Sequence, residues 1–160
     1  MRTAVTLLSV MAMMGGIVGA QSNSTPLTGA WRIVEVTTTG PNAATNSHPQ
    51  PGLHLFTGKY YSIVVDRSES PRPEVNVSTA SEAELVAMWR PFTAQAGTYE
   101  ISGTTFTIHH IVAKNAGNVG PENFDTFSFK LEGTTLWITS VSSNAGPYKN
   151  PTTIKLTRVD

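Results

Sequence analysis

From Gly97 to Val141 apolar and polar residues largely alternate, and Ser102-Gly103-Thr104 and Glu132-Gly133-Thr134 each interrupt the alternation with a glycine-centred turn. Successive side chains of a strand point to opposite faces, so alternating runs joined by such turns read as hairpins. The runs are GTYEI (97–101), TFTIHHIVA (105–113), FDTFSFKL (124–131) and TLWITSV (135–141). Upstream lie WRIVEVT (31–37) and the pair LHLF and KYYSIVV around Thr57-Gly58; downstream lies TIKLTRV (153–159). All are rich in β-branched or aromatic residues, which fit a pleated surface. About eight short strands with mostly short connections and no tandem repeat predict an all-β domain: an eight-stranded antiparallel up-and-down barrel. A membrane-spanning barrel needs strands of roughly 9–11 residues and aromatic girdles at both ends, which these runs lack.

Two stretches depart from the pattern. GPNAATNSHPQPG (40–52) has the composition of a loop, and DRSESPRPEVNVST (66–79) is a polar, proline-bearing connector. SEAELVAMW (81–89) follows with the best helix signals in the chain. Ser81 and Glu84 have the spacing of a capping box, Leu85, Met88 and Trp89 form one apolar stripe, and Pro91 stops the helix. In an all-β domain that stripe is expected to bury itself at the open end of the barrel, as a sealing plug or as a lid.

The N-terminus is a separate segment. Arg2, an apolar run and the small residues Val18-Gly19-Ala20 make a signal peptide over residues 1–20, cut after Ala20, with 21–160 as the folded domain. The expected protein is exported, periplasmic or secreted, and the leader is too short for a membrane span. With no cysteine in the chain, disulfides and thiolate chemistry are ruled out, and packing alone must hold the domain. Eleven basic side chains balance eleven acidic ones. That neutrality lacks the basic footprint of a nucleic-acid partner, and no polybasic run favours a membrane surface. Asn23-Ser24-Thr25 and Asn76-Val77-Ser78 fit the N-glycosylation pattern; a cysteine-free exported chain favours a bacterial source, in which both matches would mean nothing.

Three stretches, LTGAWRIVEV (27–36), QPGLHLFTGKYYSIVV (50–65) and FTAQAGTYEISGTTFTIHHIV (92–112), resemble in order the bacterial lipocalin-like domain family, a calycin-type barrel group. Gly29-Ala30-Trp31 matches its G-x-W signature. The resemblance implies that Trp31 closes the base of the barrel with Arg158 stacked over it, a cation–π contact worth about 0.5–2 kcal/mol. It implies a fold and leaves activity to be argued from the site.

If Thr57-Gly58 is a two-residue turn, His54 opposes Tyr61, and directly opposed residues share a face. The bulkier face, His54, Phe56, Tyr61, Ile63 and Val65, is expected inward. In 105–113 the apolar face is Phe106, Ile108, His110 and Val112, which leaves His109 outside. Phe127, Phe129 and Leu131 point inward from the next strand, while in 135–141 Leu136 and Ile138 compete with Trp137 and Val141.

The expected ligand-binding residues are thus His110, His54 and Tyr61 among Phe106, Phe127 and Phe129, with Trp89 covering the mouth. Apolar walls with a few polar groups are the usual make-up of a small-molecule site. The leading expectation is a small hydrophobic ligand in the lumen, with no cofactor, no metal and no catalytic residue. The bland alternative is a filled barrel whose polar groups satisfy one another. A second alternative is an isomerase, cyclase or hydrolase with a lumen histidine as acid or base and Tyr61 as donor. Against it, no nucleophile elbow is present, and Glu35, Glu100 and Asp125 read as scattered carboxylates. His109 and His110 diverge in a strand, so the doublet makes a poor metal chelate. A third alternative is a secreted interaction or inhibitor barrel presenting loop 38–52 or 66–80. The sequence says nothing of oligomeric state.

Overall fold

Residues 24–159 are described by the structure, a computed structural model. The expected signal peptide, its cleavage point and Asn23 lie outside the described residues. In chain order the elements are β1 (Gly29–Thr38), β2 (Ala44–Asn46), β3 (Gly52–Phe56), β4 (Tyr60–Asp66), α1 (Glu82–Trp89), β5 (Phe92–Ser102), β6 (Thr105–Ala113), β7 (Phe124–Glu132), β8 (Thr135–Ser143), β9 (Gly146–Pro147) and β10 (Thr152–Arg158). Neighbours run β10-β1-β3-β4-β5-β6-β7-β8, all antiparallel, and β10 pairs back onto β8 to close the circuit. The result is the eight-stranded antiparallel barrel expected from the alternation. The short strands β2 and β9 extend β1 and β8 at one end, where loop composition alone was visible.

Register decides which side chains enter the barrel. Phe56 pairs with Tyr61 and His54 with Ile63, so the β3–β4 connection is longer than the two-residue turn expected. Thr57 closes it instead, its N–H donating to the carbonyl of Tyr60 at 2.8 Å. The pairing slides by two residues, which preserves the faces. His54, Phe56, Tyr61, Ile63 and Val65 are accordingly buried and Leu53, Leu55 and Val64 exposed.

In β6 the expectation holds as far as His110 and then fails. Ala96 pairs with Val112 but Gly97 with His110, so Ile111 is an extra residue, a β-bulge. Past the bulge the phase inverts: Val112 is exposed rather than inward, and Ala113 takes its place on the inner wall. Gly97 makes this possible, because any Cβ there would collide with the carbonyl oxygen of His109. A second bulge at Val141 leaves Leu136 and Ile138 inward and Val141 exposed.

Helix α1 forms with its capping box as read: Ser81 Oγ accepts from the Glu84 N–H, and the Glu84 carboxylate accepts from the Ser81 N–H. Its docking differs from the expectation. No residue of α1 is buried, and Trp89 is 55% exposed. A lysine fastens the helix instead of its apolar stripe. Lys114 Nζ donates to the carbonyls of Trp89 and Arg90 at the helix C-terminus, at 2.7 and 2.9 Å, and to that of Phe92 at the start of β5, at 2.7 Å. The helix therefore lies beside the barrel end rather than inside it.

The two ends differ. At one, short turns link β3–β4, β5–β6 and β7–β8, and the segment before β1 folds across. There Trp31 is fully buried, donating from Nε1 to the carbonyl of Leu27 at 2.8 Å, with the Arg158 guanidinium 4.2 Å from its ring. Tyr99 donates its hydroxyl to the carbonyl of Thr57 at 2.6 Å, and its ring packs edge-on against Phe56. This end is closed. At the other end lie the long connections that carry β2, α1 and β9.

Candidate functional site: the barrel cavity

A cavity of about 860 Å³ enters the barrel from the end with the long connections. Ligand pockets run from about 300 to 1,000 Å³, so the space suits one small molecule. Its wall mixes polar and apolar residues, and Ile33, Ile63, Val65, Phe127, Ile138 and Ile154 contribute the apolar part from five different strands. The alternation of each strand explains this: one residue in two reaches the lumen, and many of those residues are β-branched or aromatic.

Among the polar side chains that also line the cavity, one is both buried and unpaired. His54 is 3% exposed, lines the cavity, and has no hydrogen-bond partner at either ring nitrogen among the described residues. Burial, and secondarily the Arg67 guanidinium, push its pKa down from 6.5 to about 4. At neutral pH the ring is therefore uncharged, with one N–H donor and one acceptor lone pair. Buried polar groups are nearly always paired, and an orphan costs about 1–3 kcal/mol.

His110 is buried as expected, yet its needs are met. Tyr61 Oη lies 2.5 Å from Nδ1, and Asp125 Oδ2 lies 3.3 Å from Nε2. Asp125 Oδ1 in turn accepts from the Tyr148 hydroxyl at 2.6 Å. The pattern that satisfies every atom places the proton of His110 on Nε2, facing the carboxylate, and leaves Nδ1 to accept from Tyr61. Burial first, and the Asp125 charge second, raise the Tyr61 pKa above its usual 10. Tyr148 is likewise pushed up to about 12, by burial and then by its bond to Asp125. Both phenols thus remain protonated donors, and the chain Tyr61–His110–Asp125–Tyr148 braces three barrel strands and the connection before β10.

Of the expected residues, His54, Phe106 and Phe127 line the cavity. Tyr61, His110 and Phe129 lie behind its wall, with Phe129 packed against Phe106 at 6.2 Å between ring centroids. Trp89 lines an adjoining surface depression with Leu85, Val86 and Lys114, which shares Arg90, Lys114 and Asn115 with the cavity lining. The sequence reading missed Asp125 and Arg67, both of which line the cavity. Asp125 lies two residues before Phe127 on the same face, so alternation carried the signal. Arg67 follows the last residue of β4, and nothing in the sequence pattern singles it out. Among the described residues no group of three or more His, Cys, Asp or Glu is placed to hold a metal ion.

Over residues 28–148 the sequence matches the lipocalin-like domain family. The chain belongs to that family. Two solved structures are similar to this lipocalin-like chain. One is a lipocalin-like protein from Bacteroides uniformis, 14% identical, with a TM-score of 0.47 and coverage of 82% of this chain and 97% of that one. The other is an uncharacterized protein from Bacteroides eggerthii, 11% identical, with a TM-score of 0.45 and coverage of 82% and 98%. No curated protein matches the lipocalin-like sequence. No helix among its described residues is long and apolar enough to cross a membrane.

Proposed function

We propose that this lipocalin-like barrel binds a small, largely hydrophobic molecule in its cavity and works as an exported carrier or scavenger. The observation that carries the reading is His54: a neutral, buried imidazole with two unpaired nitrogens, facing a cavity of about 860 Å³ whose wall includes apolar residues from five strands. Burying a polar group without a partner is unfavourable, and a ligand oxygen or nitrogen removes that penalty on binding. The hydrophobic walls supply the remaining affinity, roughly 25 cal/mol for each Å² of apolar surface removed from water. The N-terminal leader supports export, and the mature chain recovered from periplasm or medium is expected to begin at Gln21.

The test is extraction of the purified protein after denaturation, followed by mass spectrometry, alongside titration with apolar fluorescent probes. A stoichiometric lipophile, or saturable uptake of a probe, is the expected outcome. Protein that carries nothing and admits no probe would overturn the reading.

A further inference from the structure

We propose that the cavity selects an amphiphilic acid with two polar ends: an anionic head at the mouth beside Arg67 and Arg90, and an uncharged oxygen function at the buried end against His54. The proposal deepens the ligand-binding reading and rests on it.

The mouth carries unspent positive charge. Of the two carboxylates on the cavity wall, Asp66 is paired with Arg72 at 2.6 Å; Asp125 accepts from Tyr148 and His110 and keeps its charge, but the arginines and the lysine of the same wall outnumber it. Arg67 and Arg90 line the same cavity, and among the described residues neither guanidinium lies within ion-pair distance of a carboxylate. The backbone brings them together, because the N–H of Arg67 donates to the carbonyl of Pro91, next in chain to Arg90, at 3.0 Å. Lys114 adds a third cation, although its N–H groups are already spent on the carbonyls of Trp89, Arg90 and Phe92. Guanidinium pairs suit carboxylate and other oxyanions because the planar fork can donate two parallel bonds.

The buried end asks for something different. His54 offers one donor and one acceptor in a water-poor wall, where a second charge would be costly to desolvate. A hydroxyl or carbonyl fits. The spacing follows from register: Ile63 opposes His54, and Arg67 comes just past the end of β4. At about 3.3 Å per residue the backbone of Arg67 lies about 13 Å further along the strand than the level of His54, a span that an extended decyl chain can cover. Ile33, Ile63 and Val65 occupy the wall between them.

The experiment loads the protein with the neutral probe N-phenylnaphthylamine and displaces it with decanol, decanoate or ω-hydroxydecanoate. Decanoate should displace at about tenfold lower concentration than decanol, and added salt should shrink that margin. In an Arg67→Gln, Arg90→Gln double variant, which alters only exposed side chains, the margin between decanoate and decanol should vanish. The ω-hydroxy acid should in turn exceed decanoate severalfold, and His54→Leu should erase that second margin. The wild-type comparison of the two acids tests the buried end without relying on the folding of any variant. Equal displacement by decanol and decanoate overturns the anionic head, and equal displacement by the two acids overturns the buried oxygen. Both results leave ligand binding standing. A probe that never enters removes the binding reading itself, and this proposal with it.

Discussion

The closed and open ends of the barrel are built on opposite plans. At the closed end every polar atom singled out has a partner: the Trp31 indole on Leu27, the Arg158 guanidinium on the carbonyl of Thr28, the Tyr99 hydroxyl on Thr57. Large side chains fill the space, with Leu27, Trp31, Phe106 and Leu156 fully buried. At the open end the connections are long, the helix has no fully buried residue, and His54 keeps two orphan nitrogens beside a cavity. Proteins relax their packing and pairing rules where a site needs it and compensate elsewhere. Here the closed end supplies stability and the open end holds the unpaired groups that a ligand would satisfy.

The comparison is broken most directly by exchanging tryptophans for alanine. Trp31→Ala should cost about 3–5 kcal/mol, the range for deleting a buried aromatic. Trp89→Ala should stay within about 0.5 kcal/mol, as an exposed substitution. Urea unfolding of both variants decides the matter, and comparable losses would end the distinction between the two ends.

Acid should weaken the open end through His54. Its pKa is about 4 in the folded chain against 6.5 when unfolded, so between those values the unfolded chain binds the additional proton. The stability tied to the neutral ring is fully present above pH 6.5 and is lost as pH falls toward 4. Its full size is on the order of 3 kcal/mol. His54→Leu should flatten this part of the profile and leave stability at neutral pH unchanged or slightly raised. Parallel profiles for variant and wild type would show that the ring does not titrate as described.

Within the hydrogen-bonded chain, Tyr61→Phe should cost about 1–3 kcal/mol, because it strands the buried Nδ1 of His110. Tyr148→Phe removes a bond from an exposed tyrosine and should cost roughly 0.5–1 kcal/mol. The smallest effect belongs to the helix. Ser81→Ala removes a cap worth about 0.5–2 kcal/mol, but α1 buries no residue, so the loss should remain local. Faster amide exchange in α1 with an unchanged global midpoint is expected; a falling midpoint would mean that the helix is part of the cooperative barrel.

Much of this was legible beforehand because period-two alternation is a local property. The inward faces of 52–66 and of 105–110 followed from it, even though the Thr57 connection is longer than expected, since a slide of two residues leaves each face in place. Val112 escaped because a bulge is a backbone event between two strands, betrayed only by Gly97 across from it. Asp125 looked solitary because its partner His110 lies across a strand pairing, fifteen residues away in the chain. Trp89 belonged to a real apolar stripe, but a stripe does not say what it docks against.

The strand alternation, the capping box of Ser81 and Glu84, and the Trp31–Arg158 stack were determined by sequence alone, because each rests on residue types at short spacings or on a recognisable signature. The depth of the cavity, the bracing of His110 and the isolation of His54 were decided only by the tertiary structure. Whether a buried polar atom finds a partner depends on which strands become neighbours and in what register, and no single strand carries that information.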